Sequence, residues 1–197
     1  MNCSKLLIGS VALFGLVGIA QAGAKTFDVD PNHTIIGFTA STLLFDVQGR
    51  FDKYKVQVSG DPDTLADAKV QIEIDAKSIS TSNKTRDTHL QSPDFFDVGK
   101  HPKIIFTSTA VKKQGDKLVV DGTLDMHGVK KPMTIPFDAV AAKNGAGVME
   151  NVYKASVPLN RKDFGIGSDS IGAKISLKDQ VTLTLLLAGF FEEKKAK

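Results

Sequence analysis

The chain has 197 residues, with 25 lysines and arginines against 22 aspartates and glutamates, one cysteine and no tryptophan. A formal net charge of +3 excludes the strongly basic surface on which a nucleic-acid binder depends. A single cysteine excludes an intramolecular disulfide scaffold, so stability has to come from a hydrophobic core, which a chain of this length can build as one domain.

The first element stands outside the fold. Met1–Lys5 carries one cation, Leu6–Ala20 is a 15-residue apolar run, and Ala20-Gln21-Ala22 is an A-x-A cleavage pattern. Together they predict a cleaved secretory leader at 1–22 and a mature periplasmic domain at 23–197. The apolar run is shorter than the roughly 20 residues that cross a bilayer. Cys3 lies upstream of the cleavage point, so it cannot become the lipidated first residue of a lipoprotein, and the mature chain has no cysteine.

Alternation of apolar and polar residues follows. In KVQIEIDA, Val70, Ile72 and Ile74 share one face while Lys69, Gln71, Glu73 and Asp75 share the other. The same pattern predicts eight strands, at 33–42, 47–60, 68–77, 103–113, 117–127, 131–143, 148–160 and 174–188. Glycine-containing turns (KKQGDK, MHGVKKP and AKNGAG) separate the later strands and favour antiparallel neighbours. Two connections are longer. Residues 61–67 suit one helical turn, and the segment after Ser82 or Asn83 suits a capped helix. Short antiparallel amphipathic strands form a sandwich or an up-and-down barrel. Eight strands make a barrel that side chains fill or that holds one small ligand.

The second long connection sits in SISTSNKTRDTHLQSPDFFDVGKHPKIIFTST, Ser78–Thr109, where charged residues crowd two consecutive phenylalanines. With DPNHTIIGF, GRF, DGTLDMHGVKKPMTIPF and NRKDFGIG around it in order, the block resembles the YceI-like family of periplasmic lipocalin-like proteins associated with polyisoprenoid binding. The resemblance spans nearly the whole mature chain. Thr42-Leu43 stands where the family often has His-Leu, and Thr81-Ser82-Asn83 where it has Thr-Gly-Asn. The resemblance implies an all-β fold, an eight-stranded antiparallel lipocalin-like up-and-down barrel with one or two short helices. It also implies an apolar tunnel and a long-chain isoprenoid ligand: a polyprenyl phosphate or diphosphate, or an isoprenoid quinone.

On that reading the tail dominates affinity. Burying about 800 Å² of apolar surface is worth a gross ~20 kcal/mol, much reduced by ordering and association costs. A polar head then needs donors. On a helix, Asn83, Arg86 and His89 fall three apart on one face, and Arg86 offers a fork suited to phosphate. The competing reading makes Arg86 and Asp87 a structural network. Phe95 and Phe96 line the tunnel or plug its end. Arg161 and Asp163, two apart on an extended segment, would share a side and pair with each other or with Arg86 and Asp87.

Other chemistry finds little support in the pattern. His33, His89, His101 and His127 lack metal-motif spacing, so neither metal nor cofactor is expected. No G-x-S-x-G elbow or mature cysteine nucleophile is present, so the expectation is a binding protein and not an enzyme. The alternatives are a fatty acid or fatty amide ligand, or a filled barrel acting as a ligand-free stress-related interaction protein. Homodimerisation through a strand or barrel end is compatible with the pattern.

Overall fold

The computed structural model describes residues 25–61 and 68–193. The expected leader, and all but Asp61 of the helical turn expected at 61–67, lie outside them.

Eleven strands form one antiparallel sheet: β1 (Lys25–Val29), β2 (Ile35–Thr42), β3 (Asp46–Phe51), β4 (Tyr54–Gly60), β5 (Lys69–Asp75), β6 (Ile79–Ser80), β7 (Lys103–Gln114), β8 (Lys117–Met126), β9 (Val129–Lys143), β10 (Met149–Asn160) and β11 (Leu177–Glu193). Two helices interrupt them, α1 (Lys84–Gln91) and α2 (Ile171–Ser176). The eleven strands fill eight barrel positions, because β1 with β2, β3 with β4, and β5 with β6 are three strands broken by short kinks. Closure rests on β11. One edge carries β10; the other carries β2 against Leu177–Leu186 and β1 against Gly189–Glu193. β1 also meets β4 through Lys25–Gly60 and Thr26–Ser59. The expected eight-stranded barrel is therefore observed.

Two of the differences in strand bounds have clear local causes. The first predicted strand begins at Ile35, preceded by β1, because Asp30 turns the chain by accepting the Asn32 amide at 2.8 Å. At this kink the buried Thr34 side chain replaces a ladder bond: its hydroxyl donates to the Ala188 carbonyl (3.3 Å) and accepts the Ala188 amide (3.1 Å). The last strand begins at Leu177, after α2, whose Ser170 cap accepts the Ala173 amide at 3.3 Å. Its Ile171 and Ile175 are exposed, and isoleucines there read as strand.

Alternation aims one row of each strand inward. Ile72 and Ile74 of β5, Ile104 and Phe106 of β7, and Val120 and Leu124 of β8 are all buried. Glycine sets the closest approaches. A Cβ at Gly189 would stand 2.0 Å from the Asp28 carbonyl oxygen, where β1 presses against β11.

Overpacking a fitted site costs about 1–3 kcal/mol, so Gly189→Ala is expected to lower Tm by roughly 4–10 °C on the size scaling for a domain of this length. Gly145→Ala, whose Cβ meets nothing within 4 Å, should leave the thermal transition unchanged within error.

Candidate functional site

The inward rows do not close on the axis. Three apolar cavities follow one another along it, of about 50, 70 and 80 Å³. The inward row of β11 gives their order: Leu187 lines the first, Leu185 and Leu183 the second, and Leu183 with Val181 the third. Phe51, Met126 and Leu183 stand between the second and third. Protein interiors hold few voids larger than a water molecule. Each of these exceeds the roughly 10–15 Å³ that one water requires, and their lining is almost wholly apolar. Ile72, Ile74, Val120, Leu124 and Leu183 therefore border voids instead of meeting in a filled core.

One barrel end is sealed by the central connection. Asn83 caps α1, accepting the Arg86 amide at 3.0 Å; Ser82 does not serve as the cap. Arg86 turns back onto the preceding loop, donating from Nε to the Thr81 hydroxyl (2.7 Å) and from Nη2 to the Thr81 carbonyl (2.9 Å). Asp87 accepts the Thr81 amide at 2.8 Å and the Thr81 hydroxyl at 2.5 Å. Arg86 and Asp87 thus meet through the buried Thr81. His89 is exposed, bonded to Asp94 at 3.0 Å and set edge-on to Phe95 at 5.0 Å between ring centroids. Phe95 is buried, Phe96 stands edge-on to Phe51 at 6.0 Å, and both line the third cavity.

Arg161 corrects one expectation. Residues Arg161–Phe164 form a 3-10 turn, not an extended segment, so Arg161 and Asp163 diverge. Asp163 is exposed and faces Lys131 at 3.5 Å. Arg161 is 2% exposed. It donates to the carbonyls of Lys178 (3.0 Å), Ile166 (2.8 Å), Ala173 (3.2 Å) and Leu177 (3.2 Å) and to the Asp179 carboxylate (3.2 Å). Neither residue pairs with Arg86 or Asp87. One guanidinium thereby ties the 3-10 turn, α2 and the start of β11 over the third cavity.

Among the described residues no helix covers the opposite end. Leu118, Tyr153 and Phe191 stand between the first cavity and a cleft of about 560 Å³ that also takes in Lys25, Lys113 and Lys117. Burial pushes the Tyr153 phenol up from its ordinary pKa.

Two of the four histidines meet, without forming a metal-compatible group among the described residues. His101 meets His127 edge-on at 4.7 Å, and His127 Nδ1 donates to the Phe164 carbonyl at 2.8 Å. Among the described residues the one metal-compatible group is Asp30, His33 and Glu150, with ligand atoms within 4.8 Å of one another. His33 there is exposed and already bonded to Asp30.

The sequence matches the YceI-like domain family over residues 27–188. The chain belongs to this family. A UPF0312 protein of Pseudomonas paraeruginosa is 36% identical over 166 residues, covering 83% of this chain and 86% of the relative. One from Vibrio parahaemolyticus is 39% identical over 150 residues, covering 75% and 79%. Among solved structures, Burkholderia cenocepacia BcnA superposes with a TM-score of 0.73 at 26% identity, covering 82% of this chain and 99% of its own. A Saccharophagus degradans structure described as a polyisoprenoid binding domain superposes at 0.61 with 16% identity, covering 87% and 99%. That likeness establishes the fold alone.

In this YceI-like barrel the sequence-predicted site residues divide. Asn83, Arg86 and His89 lie on or at the start of α1, Phe95, Phe96 and Arg161 line the third cavity, and Asp163 is exposed beside Lys131. Sequence reading missed the end opposite α1. Lys113 shares a face with Val111, but a register shift between Ser108 and Ala110 reverses the parity set by the buried Ile104 and Phe106.

Arg161→Met is expected to destabilise the protein by about 3–5 kcal/mol, because several buried carbonyls and one carboxylate lose their donor. Arg161→Lys should recover less than half, since an ammonium cannot reach acceptors on three sides. Urea midpoints at constant m check both.

Proposed function

We propose that this chain is a periplasmic, non-enzymatic binding protein that carries a long-chain amphiphile, a polyisoprenoid by preference, with the tail lying along the barrel axis. The observation that carries the reading is the succession of three apolar cavities in one closed barrel. Apolar voids in an otherwise packed interior forfeit dispersion contacts. A lipid tail restores those contacts and leaves water at the same time. The cavities are narrow, so a tail thicker than a single methylene chain needs Phe51, Met126 and Leu183 to change rotamer, and methionine adapts readily.

Family membership and the neighbour described as a polyisoprenoid binding domain support the choice of ligand class. The apolar run at 6–20 followed by Ala20-Gln21-Ala22 supports export through a cleaved leader. No residue constellation in the cavities supports catalysis, since their lining is almost wholly hydrocarbon.

Native mass spectrometry of mature protein purified without detergent, followed by solvent extraction, tests this reading. The expected result is a stoichiometric long-chain amphiphile. A clean apo mass, with no uptake of added polyprenyl diphosphate, quinone or fatty acid, returns the barrel to a ligand-free role. Leu183→Trp fills the boundary between two cavities, so it should weaken uptake by about tenfold or more while β-sheet circular dichroism is retained.

A further inference from the structure

If the tail lies on the axis, as proposed above, its head group must sit at one end. We propose that the head group is an oxyanion (phosphate, diphosphate or carboxylate) and that it is held at the end opposite α1 by Lys113 and Lys25, with the Tyr153 hydroxyl, and not at the α1 end.

Strand parity makes the case. Val111 lines the first cavity and pairs with Val120; two residues on, Lys113 pairs with Leu118. Lys113 therefore continues an inward row past the end of the apolar lining. β1 repeats the arrangement: Phe27 is buried, and Lys25, on the same face, is half-buried at the rim. The inward row of β9 runs from buried Phe137 to Ala139 and Ala141, so the lumen widens where the lysines stand. Small side chains make the room, and lysines supply the charge.

The other groups at this rim leave that charge available. Lys117 is engaged by Asp138 at 2.5 Å. Asp116, on the turn, is the acidic group within the cleft, and Asp61 borders the first cavity next to Gly60, the β4 partner of Lys25. Among the described residues neither Lys25 nor Lys113 has an ion-pair partner, and the Tyr153 hydroxyl has no hydrogen-bond partner. Tyr153 borders both the first cavity and the cleft, where tail and head would meet. With its pKa raised by burial, the phenol stays protonated and donates.

The α1 end offers a poorer receptor. Arg86 has committed Nε and Nη2 to Thr81, and Arg161 has committed all three guanidinium nitrogens to carbonyls and Asp179. An anion there would compete with bonds that hold the barrel end shut.

The test compares three probes at low ionic strength by calorimetry: farnesyl diphosphate, farnesol with the same tail and a neutral head, and inorganic diphosphate with no tail. Wild-type protein is expected to bind farnesyl diphosphate about tenfold or more tighter than farnesol, and salt should erode that preference. Lys25→Gln with Lys113→Gln should reduce the preference to within about threefold while leaving farnesol affinity unchanged. Equal wild-type binding of the two prenyl probes overturns the head-group site alone. So does a preference that survives in the double variant or disappears in folded Arg86→Gln. If neither prenyl probe binds, the carrier reading falls and this site falls with it. Inorganic diphosphate binding as tightly as farnesyl diphosphate identifies a free-anion site and overturns the proposed lipid head-group role.

Discussion

Closure around β11 is the constraint on which the rest of the molecule depends. A sheet of eight strands curls into a ring only if its first and last strands meet, and here one long strand accepts two short partners end to end on a single edge. Because those partners, β1 and β2, are separated by a kink, the ladder is interrupted at the junction, although the Asp30 amide still donates to the Ala188 carbonyl at 2.9 Å. Thr34 bridges the interruption with a side chain, and Gly189 lets the neighbouring backbone come close. The ring then has a fixed circumference, and side chains of ordinary size border its axis without filling it.

The two ends of that ring are finished differently. At one, charge is turned inward and consumed: Arg86 and Asp87 close on Thr81, and Arg161 gathers the carbonyls of three segments. A buried arginine is tolerated when its donors are matched, and here the matching is what locks the end. At the other end, hairpins terminate without a covering helix among the described residues, and cations stand at the rim. Charge beside the two phenylalanines is bonded within the segment that closes this end, whereas Lys25 and Lys113, with no ion-pair partner among the described residues, stand at the other.

The barrel was legible because alternation is a local signal repeated eight times, and turns such as Asn144-Gly145 punctuate it. The helix after Asn83 was legible for the same reason, since its cap is a local bond. What could not be read were contacts between distant residues. Arg161 was assigned an extended geometry although Asn160 caps the 3-10 turn through the Lys162 amide and Gly165 ends it in the left-handed region. Its acceptors, between five and 18 positions away, become visible only when the segments converge. Lys113 was overlooked because the register shift between Ser108 and Ala110 reverses the parity set by Ile104 and Phe106, and only closure determines where the lumen ends.

A closed ring also has no lateral seam. With hydrogen bonds joining every neighbouring pair of strands, a molecule lying on the axis leaves by sliding lengthwise, like a cord drawn from a sheath, and never by parting two strands. Each increment of sliding exposes hydrocarbon to water, so residence time should rise with chain length even after affinity per carbon has levelled off. On the proposed carrier reading, such a barrel would measure its cargo by how long it takes to let go.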